Sequence, residues 1–204
     1  MIEKNIHFCW FGKKQISKKN LENINICSKI NTDYTIKVWG DEILDDNNFF
    51  NSYVEKCLQL QKLANLSNYA RIFLIKKYGG FYLDVDIRCI KPFNELINHF
   101  NKSNNIYAFE SPDNKTYINN AVFAGKSENE FLKLCYNNFV SQFDGTEEAN
   151  ISSPIFMTNI LKNTLADTII LPREYFYPYY YNEAFTENCI TENTFCIHEW
   201  DRNW

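Results

Sequence analysis

The spacing of apolar residues predicts strands that alternate with helices along this chain. Residues 5–11 alternate apolar with polar positions and stop at Gly12, which is typical of a half-buried strand. Short β-rich runs predict seven more strands, at residues 34–39, 81–83, 87–90, 106–110, 118–124, 169–171 and 194–197. Helical composition, periodicity and capping residues predict helices at residues 17–30, 52–62, 67–79, 128–139 and 154–163.

Capping residues set several of these helix boundaries. Ser17 and Ser67 are each predicted to cap the start of a helix, because a serine hydroxyl accepts a hydrogen bond from a free backbone N–H of the first turn. Gly79 follows the third helix, at the place where a left-handed residue commonly ends one. Pro154 is predicted at the first position of the last helix, behind Ser153.

The order of these elements indicates an α/β fold. Strands that alternate with helices favour a mostly parallel central sheet with helices on both faces. The sequence has no internal repeat and no low-complexity linker, so we expect a single domain over residues 1–204.

Composition limits the partners and the location of the protein. A net charge of −4 and a pI near 5.5 argue against a nucleic-acid partner, which requires a basic face. Seven scattered cysteines with no Cys-x-x-Cys pair are typical of reduced, buried thiols rather than of a disulfide framework or a zinc site. The sequence has neither an apolar run of transmembrane length nor a signal-peptide pattern. We therefore expect a cytoplasmic protein, at most peripheral to the inner membrane surface.

The strongest chemical signal is a pair of aspartates, Asp84 and Asp86, at the end of the predicted strand 81–83. If the chain stays extended there, both side chains point to one face, and Val85 points the other way into packing. Neighbouring carboxylates repel each other, and a divalent cation relieves that repulsion while it also binds phosphate oxygens. Arg71, on the preceding helix, carries a planar permanent charge that suits a phosphate.

The runs 64–71 and 78–86 resemble the glycosyltransferases that have a DXD sugar-binding region, of family 32 type. That group includes initiating mannosyltransferases of yeast type, bacterial capsule and lipopolysaccharide sugar transferases, and the catalytic domains of the large clostridial glucosylating toxins. Six further blocks resemble the family in the same order, at residues 5–12, 118–124, 152–154, 170–172, 176–178 and 198–204. Together these blocks span nearly the whole chain.

The resemblance implies a GT-A fold and a metal-dependent, retaining sugar transfer with Mn²⁺ or Mg²⁺ as the cofactor. The implied donor is a nucleotide-diphosphate sugar, with a UDP-sugar preferred and a GDP-sugar as the other option. The implied acceptor is a glycan or glycolipid, in the synthesis of a surface polysaccharide such as capsule or lipopolysaccharide.

The resemblance also assigns roles to individual residues. Asp86 would ligate the metal, with Asp84 nearby and in contact with the donor, and His198 is a further candidate ligand. Arg71 would hold the sugar or the diphosphate, so that Arg71, Asp84 and Asp86 are the expected catalytic residues. Further donor-binding residues are expected to be Trp10, stacked on the nucleobase, together with Asn68, Tyr82, Asn119, Asn120, Asn203 and Trp204.

Several residues have a second interpretation. Members of the family usually have an aspartate where this chain has Asn68, and that change removes a negative charge from the donor site. His7 is expected to be a structural hydrogen-bonding residue, and Glu110 is a candidate acid behind the site. The aromatic run 175–181 is expected to pack or to bind the acceptor.

Three other functions remain open from the sequence. The first is a weak or inactive relative that only binds a sugar nucleotide, and Asn68 supports it. The second is a host-directed glycosylating toxin. The third is a phosphatase of the haloacid-dehalogenase type, whose motif also opens with Asp-x-Asp; that motif expects Thr or Val where this chain has Arg88.

Overall fold

The computed structural model describes residues 1–163 and 167–201. Its strands are β1 (Asn5–Cys9), β2 (Thr35–Trp39), β3 (Gly80–Leu83), β4 (Ile87–Cys89), β5 (Asn105–Phe109), β6 (Ile118–Gly125), β7 (Thr168–Leu171) and β8 (Cys196–His198). Its α-helices are α1 (Lys18–Ile30), α2 (Ser52–Gln59), α3 (Leu63–Tyr78), α4 (Phe93–His99), α5 (Glu130–Gln142) and α6 (Phe156–Asn163). None of these helices combines the length and the apolar character that a bilayer span requires.

Six strands form a central sheet in the order β2-β1-β3-β6-β5-β7. β1 pairs in parallel with both β2 and β3, and β5 pairs in parallel with β7. β6 lies between β3 and β5 and is antiparallel to both, so it alone among these six strands runs in the opposite direction. The prediction of a mostly parallel α/β sheet is confirmed.

Two apolar cores cover the two faces of this sheet. One contains the buried side chains of α2, α3, α5 and α6, and the other contains those of α4 and the buried side of α1. Strand β3 alternates between them, because Phe81 and Leu83 belong to the second core whereas Tyr82 belongs to the first. The alternation therefore turns Tyr82 toward α3, the helix that carries Arg71.

The junction between α3 and β3 has no loop, and two glycines make this possible. Gly79 and Gly80 have φ angles of +63° and +97°, a region that glycine adopts without strain. The backbone N–H of Gly79 donates to the carbonyl of Ile75 and ends the helix, as the sequence predicted. A Cβ on Gly80 would lie 2.3 Å from the carbonyl oxygen of Asn5 on β1, so only glycine fits there.

Two predicted helix starts are wrong. Helix α3 begins at Leu63, and Ser67 lies inside it, where its hydroxyl donates to the carbonyl of Leu63 at 3.1 Å. A mid-helix serine satisfies its hydroxyl in this way, so it does not have to mark a cap. Pro154 likewise lies within a π-helical turn, residues 151–155, that leads directly into α6. Ser153 does not cap that helix; its hydroxyl donates to Asn120.

Strands β4 and β8 form an antiparallel sheet of their own beside the central one. Both had been predicted as strands, at residues 87–90 and 194–197, but the sequence did not indicate that they pair with each other. Helix α4 was not predicted at all, because its seven residues are too few to show a clear period.

His7 is buried in the centre of the fold as a neutral hydrogen-bonding residue. Its Nδ1 accepts from the indole N–H of Trp39 at 3.0 Å, which leaves Nε2 to donate to the carbonyl of Gly79, also at 3.0 Å. Burial lowers the pKa of His7 to about 4, since the charged imidazolium would lose its hydration. The structural role expected for His7 is supported by these contacts.

We expect His7 to make the protein less stable in mild acid. Between pH 6.5 and pH 4, His7 becomes protonated in the unfolded chain but stays neutral in the folded chain. The free energy of unfolding therefore decreases as the pH falls through this range. The free energy of unfolding should therefore drop by about 2 kcal/mol more between pH 7 and pH 5 in the wild type than in a His7→Gln variant. Urea denaturation at both pH values measures this difference, and equal drops in the two proteins would contradict it.

Candidate active site

A cavity of about 230 Å³ opens at one edge of the central sheet. Because β6 runs against its neighbours, its first residues lie at the same edge as the last residues of β3 and β5. Asp84 follows β3, Glu110 follows β5, and Asn119 is near the start of β6; all three line the cavity. Ligands of open α/β sheets typically bind at this edge.

The two aspartates lie on a turn and not on an extended strand, so that part of the prediction is wrong. β3 ends at Leu83, and the backbone N–H of Ile87 donates to the carbonyl of Asp84 at 3.1 Å, which closes the turn. The chain bends here because β4 leaves the central sheet to pair with β8. Val85 is buried in the second core, as expected, and Asp84 and Asp86 still line the same cavity.

Arg71 and Asp84 form an ion pair inside the protein. Both side chains are almost fully buried, and Arg71 Nη2 lies 3.0 Å from Asp84 Oδ1. The same carboxylate oxygen accepts a hydrogen bond from the hydroxyl of Tyr82 at 2.8 Å. Asp84 is therefore fixed by two donors, one on α3 and the other on its own strand.

The remaining nitrogens of Arg71 are also bound. Nη1 donates to the carbonyl oxygen and the side-chain oxygen of Asn120, at 3.0 and 3.1 Å, and Nε donates to the carbonyl of Ser67 at 3.4 Å. The Asn120 side-chain oxygen also accepts from the hydroxyl of Ser153 at 2.5 Å. Arg71 thus connects α3, β6 and the turn before α6 around the cavity.

Asp86 is held by residues from the far end of the chain. Its Oδ2 lies 3.3 Å from His198 Nε2 and accepts a hydrogen bond from the backbone N–H of Asp201 at 3.0 Å. Its carbonyl oxygen accepts from the backbone N–H of Glu199 at 3.0 Å. The indole of Trp200 packs on the imidazole of His198, with ring centroids 3.9 Å apart.

The two aspartates have opposite pKa shifts. Burial raises the pKa of Asp84, the charge of Asp86 adds to the rise, and the Arg71 guanidinium opposes it. Burial acts in the same direction on Asp86, but the contact of its carboxylate with the His198 imidazole and the hydrogen bond from the Asp201 N–H bring the pKa of Asp86 below its usual value. A cation placed between them would favour the ionised form of both.

The residues fit a divalent metal ion. Asp84, Asp86 and His198 are buried, and each offers a ligand atom within 4.8 Å of the others. Asp86 Oδ1 and His198 Nδ1 are buried and have no hydrogen-bond partner among the described residues, and such atoms normally have one. Carboxylate oxygens and an imidazole nitrogen are a suitable donor set for Mn²⁺, and the carboxylates alone suit Mg²⁺.

Glu110 is a third carboxyl group in the cavity. Its Oε2 accepts a hydrogen bond from Asn119, whose own side-chain oxygen accepts from the backbone N–H of Ala121 at 2.7 Å. Burial raises the pKa of Glu110. Among the described residues no cation forms an ion pair with this carboxyl group to offset the effect. The acid expected behind the site thus lies in its wall.

Comparison with known families identifies the site. Residues 17–103, which include Arg71 and both aspartates, match the family described as "Glycosyltransferase sugar-binding region containing DXD motif". Over these residues the chain is similar to DXD-type glycosyltransferases, which confirms the resemblance predicted from the sequence. Arg71, Asp84 and Asp86 thus lie in the part of the chain that carries this similarity.

Known glycosyltransferases are similar to this chain over much of its length. The lactosylceramide 4-alpha-galactosyltransferase of Rattus norvegicus is 27% identical in an alignment of 160 positions that covers 69% of this chain and 41% of that protein. An uncharacterized glycosyltransferase of Acanthamoeba polyphaga mimivirus is 25% identical over 96% of this chain and 80% of that one. The chain thus spans about two fifths of the length of the rat enzyme.

Solved structures show the same fold. The PaToxG glycosyltransferase superposes with a TM-score of 0.63 and 21% identity, over 80% of this chain and 69% of that one. This agreement confirms the expected GT-A architecture.

The other residues expected at the donor site lie in different places. Asn68 and Asn119 line the cavity, whereas Tyr82 is buried behind Asp84, and Asn120 is buried behind Arg71. Trp10 follows β1 outside the cavity lining, half-buried, with its indole N–H donating to the carbonyl of Lys14 at 2.5 Å. Its contact with a nucleobase stays a prediction.

The expected roles of Asn203 and Trp204 fall outside the described residues. Both positions lie beyond residue 201, where the described part of the chain ends.

Two parts of the site were missed from the sequence. One is Trp200, although the block 198–204 that contains it had been noted. The other is the cavity wall formed by Ala149, Asn150, Ser153 and Pro154. The sequence analysis includes residues 153–154, within the block 152–154, but not Ala149 or Asn150. Residues 144–150 have no periodicity, so the only available signal was their place between two helices.

We expect the Arg71–Asp84 pair to be essential for stability as well as for the site. Arg71→Met would leave Asp84 buried and unpaired, which should lower the free energy of unfolding by about 3–5 kcal/mol. Adding Asp84→Asn should restore part of the loss, because the unpaired charge is then removed. Urea denaturation measures both steps, with Lys133→Met, which breaks an exposed ion pair, as a control expected to change little. Equal losses in the single and double variants would contradict this explanation.

Proposed function

We propose that this protein is a metal-dependent, retaining glycosyltransferase that transfers a sugar from a nucleotide diphosphate to a glycan or glycolipid. The preferred donor is a UDP-sugar, with a GDP-sugar as the alternative, and the cofactor is Mn²⁺ or Mg²⁺. The proposed role is the synthesis of a surface polysaccharide, capsule or lipopolysaccharide. The seven cysteines are all free thiols, which supports work in the cytoplasm, at the inner membrane surface when the acceptor is a lipid.

One observation carries the proposal. Asp84, Asp86 and His198 converge in a single cavity, and one oxygen of Asp86 and one nitrogen of His198 have no hydrogen-bond partner within residues 1–163 and 167–201. Buried polar atoms normally have partners, so these two atoms are available to a ligand. A bound divalent cation would supply positive charge to the diphosphate that leaves the sugar.

The chain's own residues then position the donor. Arg71 holds Asp84 at the cavity wall and keeps it from rotating, since every nitrogen of its guanidinium is bound. Asn119 and Glu110 offer polar atoms to sugar hydroxyls, and Trp200 supports the imidazole of His198. The result is a preorganised set of charges, which is usually the largest contribution to such catalysis.

The charges of the cavity favour a neutral sugar. Asp84, Asp86 and Glu110 are acidic, whereas Arg71 already pairs with one of them and His198 with another. An anionic sugar such as a uronic acid would meet an unpaired carboxyl group at Glu110. We therefore propose a neutral hexose or N-acetylhexosamine as the transferred group.

The relatives support a glycolipid acceptor and a retaining reaction. Several of them are named lactosylceramide 4-alpha-galactosyltransferases, so a glycolipid accepts the sugar and the new linkage is α in those enzymes. Hexoses in UDP donors are commonly α-linked, so an α product means retention.

Asp86→Asn should abolish turnover with little effect on folding. With Mn²⁺ and a panel of UDP- and GDP-sugars, we expect the wild type to hydrolyse at least one donor slowly, and the variant to lose at least about a hundredfold of that rate. Calorimetry should show Mn²⁺-dependent UDP binding only in the wild type. Asp33→Asn, an exposed change in the turn between α1 and β2 and outside the cavity lining, is the matched control. A wild type that neither turns over a donor nor binds UDP with Mn²⁺ would refute the proposed function.

The chemical class of the acceptor can be tested by incubating the enzyme and a labelled donor with separate lipid, polysaccharide and protein fractions. We expect label in the lipid or polysaccharide fraction and an α-linked product by NMR. Label confined to protein would contradict the proposed acceptor and favour a toxin, and a β-linked product from an α-linked donor would contradict retention.

A further inference from the structure

The aromatic run 175–181 divides into a buried part and a part beside the cavity. Residues 176–177 are fully buried in the second core, so they pack. Tyr180 is half-buried, whereas Tyr181 is 48% exposed. Both rings lie next to the indole of Trp200, with ring centroids 6.2 and 6.3 Å away, and Trp200 lines the cavity. The second part of the run is therefore the one that a ligand can reach.

These rings continue a row of aromatic contacts that starts at the proposed metal site. The indole of Trp200 packs on the imidazole of His198, with ring centroids 3.9 Å apart, and the rings of Tyr180 and Tyr181 are 4.5 Å apart. We call Tyr180, Tyr181 and Trp200 the aromatic platform. It extends from a proposed metal ligand to the protein surface, so a molecule bound on it lies directly beside the cavity.

Hydrogen bonds hold the platform in place. The backbone N–H of Glu183 donates to the carbonyl of Tyr180 at 2.9 Å, and the backbone N–H of Tyr180 donates to the Glu183 carboxylate at 2.6 Å. Arg173 Nη1 lies 3.2 Å from the same carboxylate. The backbone N–H of Arg173 donates to the side chain of Asn114, on the hairpin between β5 and β6, at 2.6 Å. Because its backbone is already fixed, the platform loses little conformational freedom when it binds a ligand.

The chemistry of the platform suits a sugar ring. One face of a pyranose carries mostly C–H groups, which pack on an aromatic ring, whereas its hydroxyls need polar partners. Tyrosine and tryptophan offer a large, rigid contact surface of this kind. The carboxyl group of Glu110, in the cavity wall, is a polar partner for a hydroxyl that points into the cavity. The platform therefore combines an apolar surface with a nearby hydrogen-bonding group.

The charges near the platform favour a neutral sugar. Burial raises the pKa of Tyr180, and the carboxylates of Glu110 and Asp113 are near enough to raise it further. Lys115 is the only basic residue of the hairpin 110–117 that carries these two acids. An anionic sugar would thus meet like charges here, and a neutral sugar would not.

We propose that the aromatic platform is the acceptor subsite, where a neutral pyranose of the acceptor packs on Tyr181 and Trp200 and directs a hydroxyl into the cavity. This inference rests on the proposed function, and it adds that the protein recognises the sugar end of its acceptor. Tyr181 is the specificity-determining residue of the subsite. Its ring is the most exposed of the three, and it lies outside the cavity that contains the proposed metal ligands.

The test compares Tyr181→Ala with Tyr181→Phe and with Phe50→Ala. Phe50 is the matched control, because it is an aromatic residue of similar exposure, 44%, outside the cavity lining. The probes are the neutral methyl glycosides of galactose, glucose and N-acetylglucosamine, offered with the nucleotide sugar that the wild type hydrolyses. We expect Tyr181→Ala to raise the KM of the glycoside by about fivefold to tenfold, through the lost ring contact. Tyr181→Phe, which keeps the ring, should restore most of that loss, and Phe50→Ala should change little.

Two further readouts separate acceptor recognition from donor binding. Saturation-transfer NMR, without any donor, should detect contact between a neutral methyl glycoside and the wild type, and a much weaker contact in Tyr181→Ala. Methyl glucuronide should bind more weakly than methyl glucoside, whereas UDP with Mn²⁺ should bind equally well to Tyr181→Ala and Phe50→Ala. Equal glycoside KM values and NMR signals in these two variants, a preference for the glucuronide, or a loss of UDP binding in Tyr181→Ala would overturn the proposed subsite.

The outcome also distinguishes this inference from the function on which it rests. A wild type that neither binds UDP with Mn²⁺ nor turns over a donor overturns the proposed function, and the NMR experiment, which needs no donor, still decides whether the platform binds a neutral sugar. A wild type that turns over its donor but contacts none of the neutral glycosides overturns the acceptor subsite alone.

Discussion

The buried ion pair between Arg71 and Asp84 is the interaction on which the rest of the site depends. Taking both charges out of water costs several kcal/mol per ion, and the pair is kept only because other groups complete it. Tyr82 donates to the carboxylate, and Asn120 accepts from the guanidinium. Apolar side chains of the same size would often give equal stability. That the chain keeps two charges here is consistent with a catalytic use of them.

His198, which lies next to Asp86 in the site, comes from a strand that is distant in the sequence. β4 begins directly after Asp86, and its first residue, Ile87, lies opposite His198 in the antiparallel pair with β8. The register of this small sheet therefore fixes the distance between Asp86 and His198. The pairing of two strands more than a hundred residues apart thus completes the group of three residues that could hold a metal ion.

The sequence predicted the parts of the fold that local patterns control. Local patterns predicted the strands and the glycine that ends α3. A resemblance to known enzymes predicted that Arg71, Asp84, Asp86 and His198 belong to one site. The bend at Val85 could not, because three residues do not show whether the next strand stays in the sheet. It depends on β8, which is distant in the chain.

Other errors have the same origin in non-local contacts. Ser67 has the local preference of a helix cap, but the helix continues through it, since the preceding Ala64 and Leu66 favour helix and the buried face of α3 begins before Ser67. The segment 146–153 has no hydrophobic periodicity of its own. Its position depends on hydrogen bonds from amide donors on α3 and from the lysine that precedes this helix, so it can be predicted only when the helix and the segment are considered together.

The segment that follows β8 shows how Asp86 and His198, two of the proposed metal ligands, are kept in place. Lys19 on α1 lies 3.0 Å from Glu199 and 2.8 Å from Asp201, so one cation holds the residues on both sides of Trp200. Trp200 has a φ of +55°, which is uncommon for a bulky residue and persists only where the surroundings impose it. In this conformation its ring packs on His198, while the next N–H binds one oxygen of Asp86. The strained conformation at Trp200 therefore acts on two of the proposed metal ligands: it orients the His198 imidazole, and it leaves the other oxygen of Asp86 available to a cation.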